Sequence, residues 1–222
     1  MAKRHHVVIT GTGRCGTTFL VELLTHLGLE TGFTIDQLGQ RKHVIARAGL
    51  EFDVRKSNAP YIAKHPRFSD YAAEVLASPD IAIDHVFIPI RDLSAAAESR
   101  RQVTRASFAA LPLLRKIKRI FTKREFAGGV WTSTSLRVGD QERLLLDQIY
   151  RLTLALADAH VPVTLLRYPR LVHDSDYLFE KLAPALGEVD PLRFRETFDR
   201  VARPELVHSF SADDQWKQAP MV

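Results

Sequence analysis

The sequence predicts an α/β fold: three layers, with a mostly parallel central sheet of about four to five strands flanked by helices. Two observations carry that prediction. Short apolar runs alternate along the chain with longer stretches of helical periodicity, which is the pattern of βαβ units. The runs also carry apolar residues side by side, as strands covered on both faces require. A third observation, a glycine-rich turn between the first run and the first helix, says where such a sheet would work.

Strands are predicted at residues 7–10, 61–63, 86–90 and 161–166. The first helix is predicted over 17–27. Phe19, Leu20, Leu23, Leu24 and Leu27 form its apolar stripe, and Gly28 follows as a stop. Helices are also predicted over 69–76, from 93 to about 105, and over 140–160, where Leu145, Ile149, Leu152 and Leu156 share a face. Asp174 or Ser175 caps the next helix, which ends near Gly187. Asp190-Pro191 opens another, running to about Arg203. Residues 120–139, with two adjacent glycines and a Thr/Ser-rich run, read as an irregular insertion. The chain is thus one domain over 1–222 with a basic insertion around 100–139.

The chain has 222 residues, of which 45% are hydrophobic and 26% charged, a balance that excludes global disorder. The single cysteine, Cys15, excludes a disulfide framework and a Cys-rich zinc site. The histidines show no metal-ligand spacing (His5-His6 is terminal, and His26, His43 and His85 are scattered), so no metal is expected. No run approaches the ~20 apolar residues that span a bilayer. The apolar stretch after Met1–His6 is too short for a signal-peptide core, so the expected location is the cytoplasm.

The net charge is +5, and its distribution is uneven. Arg100, Arg101, Arg105, Arg115, Lys116, Lys118, Arg119, Lys123 and Arg124 are nine cations in a stretch, beginning at Ser99, without Asp or Glu. Removing those nine leaves the rest of the chain at −4. The plain reading is a solvated helix face or loop. The functional reading is a clamp on a polyanion such as a nucleotide phosphate, an acidic acceptor or a membrane surface. The segment has Phe108 and Phe121 but no alternating aromatic platform, and no helix-turn-helix or RNP pattern occurs, so no nucleic-acid partner is expected.

The most informative stretch runs from Gly11 through Thr12, Gly13, Arg14, Cys15, Gly16 and Thr17 to Thr18. A strand precedes it and a helix follows, so its backbone N–H groups and the helix N-terminus suit a phosphate or sulfate. The spacing from Gly11 to Gly16 fits the P-loop pattern Gly-x4-Gly-Lys-Ser/Thr. The lysine slot, however, holds Thr17, while Thr18 occupies the Ser/Thr slot and the cation has moved into the loop as Arg14.

Arg14-Cys-Gly-Thr-Thr-Phe19 resembles the Lys/Arg-Ser-Gly-Thr-Thr loop of sulfotransferases that use PAPS (3′-phosphoadenosine 5′-phosphosulfate), with Cys15 where serine is usual. A second motif agrees. The family holds the 3′-phosphate with an arginine at a later strand end and a serine eight residues on, and Arg91 and Ser99 match that spacing. Residues 163–171 resemble the late Leu-Arg-Tyr-Glu-Asp-Leu turn of the family, so the likeness spans about Val7 to Gly187. The family's terminal Arg-Lys-Gly loop has no counterpart here. Arg203, Lys217 or the basic segment stands in for it in this reading.

The resemblance implies a P-loop fold, PAPS as cosubstrate and PAP as product. It also implies a nucleotide site made of Gly13, Arg14, Cys15, Gly16, Thr17, Thr18, Phe19, Arg91 and Ser99. Phe19 would pack on adenine, the plain alternative being helix core. Arg14 would stabilise charge, and Lys64 would help hold the sulfonate. Lys64-His65-Pro66 resembles, in shorter form, the Lys-Thr-His-Leu-Pro segment in which histidine is the base, and also a bacterial Lys-Asp-Pro-Arg variant continued here by Arg67; the plain reading of His65 is a strand-end histidine that bonds backbone. Asp36, or Glu30 nearer the first helix, stands about where some bacterial relatives place a carboxylate base. A small-molecule, glycan or lipid acceptor is expected, with sugar, lipid, phenol and peptide all open, and its pocket is shaped by residues 121–139, including Trp131, and by the loop from Asp36 to Asp53. The competing classes are a P-loop small-molecule kinase or NTPase, weakened by Thr17 and by a lone Asp92 after a Pro-interrupted strand, and a catalytically silent anion-binding module.

Overall fold

A computed structural model describes residues 3–11, 13–40, 49–109 (without the side chains of 107 and 108) and 135–207. Four strands form one sheet: β1 (Arg4–Ile9), β2 (Ile62–Lys64), β3 (Ile81–Ile90) and β4 (Val163–Arg167). All pairings are parallel and the spatial order is β2-β1-β3-β4. The expected three-layer α/β class and parallel sheet are therefore what the chain forms.

The helices are α1 (Thr17–His26), α2 (Ile35–Gln40), α3 (Phe68–Leu76), α4 (Leu93–Ala109), α5 (Asp140–Asp158), α6 (Arg170–His173), α7 (Ser175–Leu186) and α8 (Pro191–Val201). One layer packs α1, α7 and α8 over Val7, Ile9 and Phe87. The other packs α3 and α5 over Val8, Ala63, Val86 and Ile88. The β1-to-β2 and β3-to-β4 crossovers run in opposite directions, so right-handed connections place their helices on opposite faces. Leu20, Leu23, Leu24 and Leu27 are buried on the first face, each contributing about 2 kcal/mol.

Local chemistry fixes the element ends. The Asp174 carboxylate accepts from Tyr177 N at 2.9 Å, and that of Asp190 accepts from Leu192 N and Arg193 N at 2.9 and 3.1 Å. Both predicted caps are thereby used. Arg193 then donates to Leu27 O at 2.7 Å, which ties α8 to the end of α1.

Several boundaries differ from the sequence reading. β1 starts at Arg4 rather than at Val7, so the terminal His5 and His6 belong to it. The Arg4 guanidinium donates to Val54 O and Lys56 O at 3.2 and 2.7 Å, anchoring that start. His6 is buried and its Nδ1 lies 2.7 Å from Pro60 O. β3 begins five residues earlier than expected, at Ile81, and a register shift leaves Asp84 as an extra residue opposite His6/Val7. Asp84 receives His5 Nδ1 at 2.7 Å and the Tyr61 hydroxyl at 3.3 Å. α4 runs past residue 105 to Ala109, and α2 and α6 are additions. Among the described residues, no helix is long and apolar enough to cross a membrane.

Candidate anion-binding active site

The strand order reverses between β1 and β3. In open parallel sheets the crevice outside the carboxyl ends at such a point is where ligands bind. The glycine loop leaves β1 there, and Arg91 follows β3.

The loop depends on its glycines. Gly13, Arg14 and Gly16 have φ of 71°, 62° and 85°, left-handed positions on either side of Cys15 that turn the chain sharply into α1. Arg14 is held in that region at a cost of about 1–2 kcal/mol. A Cβ on Gly11 would lie 3.1 Å from Pro89 O, and one on Gly16 would lie 3.0 Å from Leu171 Cδ1 and 3.3 Å from Tyr168 Cδ2. β3 and the turn after β4 therefore close directly on the loop. Among the described residues, no side chain caps α1 and its first turn carries no acid, an arrangement whose leading N–H groups and dipole suit an anion. Cys15 is fully buried in the core beneath the loop.

Three cations converge here. Arg14 Nε donates to Ser99 Oγ at 3.5 Å, and Arg91 Nη1 donates to Arg14 O at 3.4 Å. Arg91 and Ser99, both expected to bind nucleotide, thus meet Arg14, from which 77 and 85 positions separate them. The Arg91 guanidinium also lies 4.9 Å from the centroid of the Tyr168 ring, over its face. Lys64, at the end of β2, donates to Gly49 O at 2.6 Å, to Glu51 Oε1 at 3.2 Å and to Thr18 Oγ1 at 3.4 Å. Its side chain is 2% exposed. Burial lowers the pKa of its ammonium below the usual lysine value, an effect that Glu51 opposes.

His65 follows Lys64 and its backbone N–H bonds Ile9 O at 3.0 Å. Burial lowers its pKa below 6.5, against the pull of Glu51 and Asp53 and with added pushes from Arg67 and Lys64. Its ring is therefore neutral near neutral pH, the state in which a histidine can accept a proton.

The other expected residues are dispersed. Asp36 is not on a loop: it sits exposed in the first turn of α2, where an acid complements the helix dipole. Glu30 is also exposed, and its carboxylate accepts from Tyr61 N at 3.4 Å, at the start of β2 rather than at the Lys64 end. Phe19 meets Phe198 edge-on at 5.8 Å and packs against the core, the plain alternative for it. Glu51 was not singled out by sequence, because only the fold brings it to Lys64. Thr12, His43, Trp131, Lys217, residues 121–134 and the cations from Arg115 to Arg124 lie outside the described residues.

The described cations of the basic segment bond to side chains of α4 and α5. Arg101 bonds Glu98 at 2.7 Å and Glu142 at 3.0 Å, Arg105 bonds Glu98 at 2.9 Å, and buried Arg100 donates to Gln141 at 2.8 Å. Arg100 and Arg101 thereby hold α4 against α5, while the Arg105 pair lies within α4. Burial lowers the pKa of Arg100 to about 10. Asp92 is likewise occupied, accepting from Ala95 N at 2.9 Å as the cap of α4.

No family model and no curated protein sequence matches the chain.

Proposed function

We propose that the chain is a PAPS-dependent sulfotransferase acting on a hydroxyl or amine of a small-molecule, glycan or lipid acceptor. The observation that carries the reading is the meeting of Arg91 and Ser99 at Arg14, beside a glycine loop at the switch point of the sheet. The donor set fits such a ligand. Arg14, Arg91, Lys64, Ser99, Thr18 and the N-terminus of α1 are all donors, and Glu51 pairs with Lys64 beside them. PAPS would supply the activated sulfonate. Arg91 and Ser99 would hold its 3′-phosphate, the loop its 5′-phosphate, and Arg14 and Lys64 the charge that develops on the leaving oxygen. His65 would accept the proton of the acceptor, with Glu51 as the competing carboxylate in place of Asp36 or Glu30.

One observation favours a second reading, a P-loop kinase or NTPase. Lys64 puts a cation beside Thr18 although position 17 lacks the usual lysine. The engagement of Asp92 as a helix cap counts against it, since that acid is the one placed to serve magnesium after β3.

Thermal unfolding with PAP, with ATP-Mg and with neither separates these. A ligand at 100 Kd adds about 2.7 kcal/mol of stability, or roughly 5–10 °C in Tm for a domain of this size. Stabilisation by PAP but not by ATP-Mg supports sulfotransfer, the reverse result the kinase, and labelled-PAPS turnover distinguishes an enzyme from a silent binder. Separate Asp36→Asn, Glu51→Gln and His65→Ala variants assign the base by which one loses kcat.

A further inference from the structure

The sheet face that carries α3 ends in polar atoms. Thr10 follows β1 and His65 follows β2. Because Ile9 pairs with Lys64, these two residues stand side by side, on the face of Val8 and Ala63. Tyr71, in the first turns of α3, sets its ring edge-on to the His65 ring at 5.2 Å. Thr10 Oγ1, His65 Nδ1 and the Tyr71 hydroxyl are all buried, and none has a hydrogen-bond partner among the described residues. Thr10 is 1% exposed and Tyr71 8%.

Buried polar atoms are rarely left unpaired, and three of them from three separate elements in one neighbourhood are the usual setting of an internal water. The charged and titratable neighbours do not reach these atoms. Glu51, Asp53, Arg67 and Lys64 act on His65 through space, and Arg55 lies over the Tyr71 ring at 4.0 Å while its guanidinium bonds Asp53 and Glu74. Phe68, Ala72 and Val75 close the region with apolar surface.

We infer that Thr10, His65 and Tyr71 bind one buried water, and that this water fixes the His65 tautomer by accepting from Nδ1–H and from the Tyr71 hydroxyl and donating to Thr10 Oγ1. A neutral imidazole has one donor nitrogen and one acceptor, so protonating Nδ1 makes Nε2 the acceptor. Thr10 and Tyr71 are then positioning residues that act through the water. The inference rests on the reading of His65 as proton acceptor, and it concerns which nitrogen does that work.

NMR of the full chain labelled with 15N-histidine tests it, with His65→Gln identifying the signals. The expected result is a neutral Nδ1–H tautomer whose proton cross-relaxes with water. In Tyr71→Phe, Thr10→Val or both, the Nδ1–H to Nε2–H ratio should fall about fivefold, the scale of one lost hydrogen bond. Thr10→Ser, which keeps the hydroxyl, should retain the wild-type ratio. Both substitutions preserve side-chain size, and a folded spectrum is read before the ratio. An Nε2–H tautomer in the wild type, or an unchanged ratio in both variants, would overturn the inference. No nucleotide enters the experiment, so failure of PAP to bind would sink the sulfotransfer reading without touching this result.

Discussion

The ammonium of Lys64 stands 3.4 Å from the hydroxyl of Thr18, so a cation from the end of β2 reaches the first turn of α1. That contact brings a cation from a neighbouring strand to the start of a helix whose first residue is Thr17. It also explains why Glu51 matters, since a side chain as buried as that of Lys64 keeps its charge only with a counter-ion close by.

Glu51→Gln should therefore destabilise the chain by about 3 kcal/mol at pH 6. Lys64 would be left as a buried charge with its pKa driven further down. A base with a depressed folded pKa binds fewer protons folded than unfolded, so stability falls as pH drops through the window between the two values. The loss in Glu51→Gln should be smaller at pH 9 than at pH 6, read as the difference in urea midpoint from the wild type at each pH.

Acidification should destabilise the wild type for a related reason. His6 and His65 both titrate below 6.5 when folded, burial being the leading cause for each. As pH falls below about 6.5 the unfolded chain takes up protons that the folded one resists, and each histidine can contribute up to ~1.4 kcal/mol per pH unit. A Tm profile between pH 7.5 and 5 should slope downward and flatten in His6→Gln. A flat wild-type profile contradicts the burial argument.

Gly16→Ala should damage both fold and binding. Its φ of 85° is unfavourable for alanine, and the added methyl would sit 3.0 Å from Leu171 Cδ1. A loss of about 1–3 kcal/mol is expected by chemical denaturation, together with loss of PAP binding by calorimetry. Retained binding would mean that the loop does not form the anion site.

Arg101→Ala should separate stability from binding. Its guanidinium joins Glu98 to Glu142 across α4 and α5, and its side chain is 7% exposed. Removing it should cost about 2–3 kcal/mol of stability while leaving PAP affinity within about twofold. A large drop in affinity without loss of stability would restore this residue to a ligand clamp.

The fold was legible because its signals are local. β1 and β2 present apolar residues to both layers, and Asp174 and Asp190 cap helices within three residues of themselves. Arg91, Ser99 and the glycine loop were likewise readable, as ordered short motifs. What the chain order concealed was pairing at a distance. Counting the basic stretch from Ser99 left out Glu98, one position earlier, and could not show Glu142, 41 positions beyond Arg101. Glu51 carries no motif and reaches Lys64 only because Phe52 N bonds Lys64 O alongside β2. Asp36 reads as a loop residue in sequence because its short helix, Ile35–Gln40, has only one buried residue and so little apolar periodicity to announce it.

Calorimetric titration of PAP against 5′-AMP, in the wild type and in Arg91→Ala, tests the central claim most directly. Arg91 and Ser99 are assigned to a phosphate that 5′-AMP lacks, and charge-assisted hydrogen bonds of this kind carry about 1.5–3 kcal/mol each. The wild type should bind PAP at least ~30-fold more tightly than 5′-AMP, and Arg91→Ala should lose most of that margin while its affinity for 5′-AMP stays nearly unchanged. Equal affinity for the two nucleotides in the wild type, or a margin that survives Arg91→Ala, would contradict the assignment of the site.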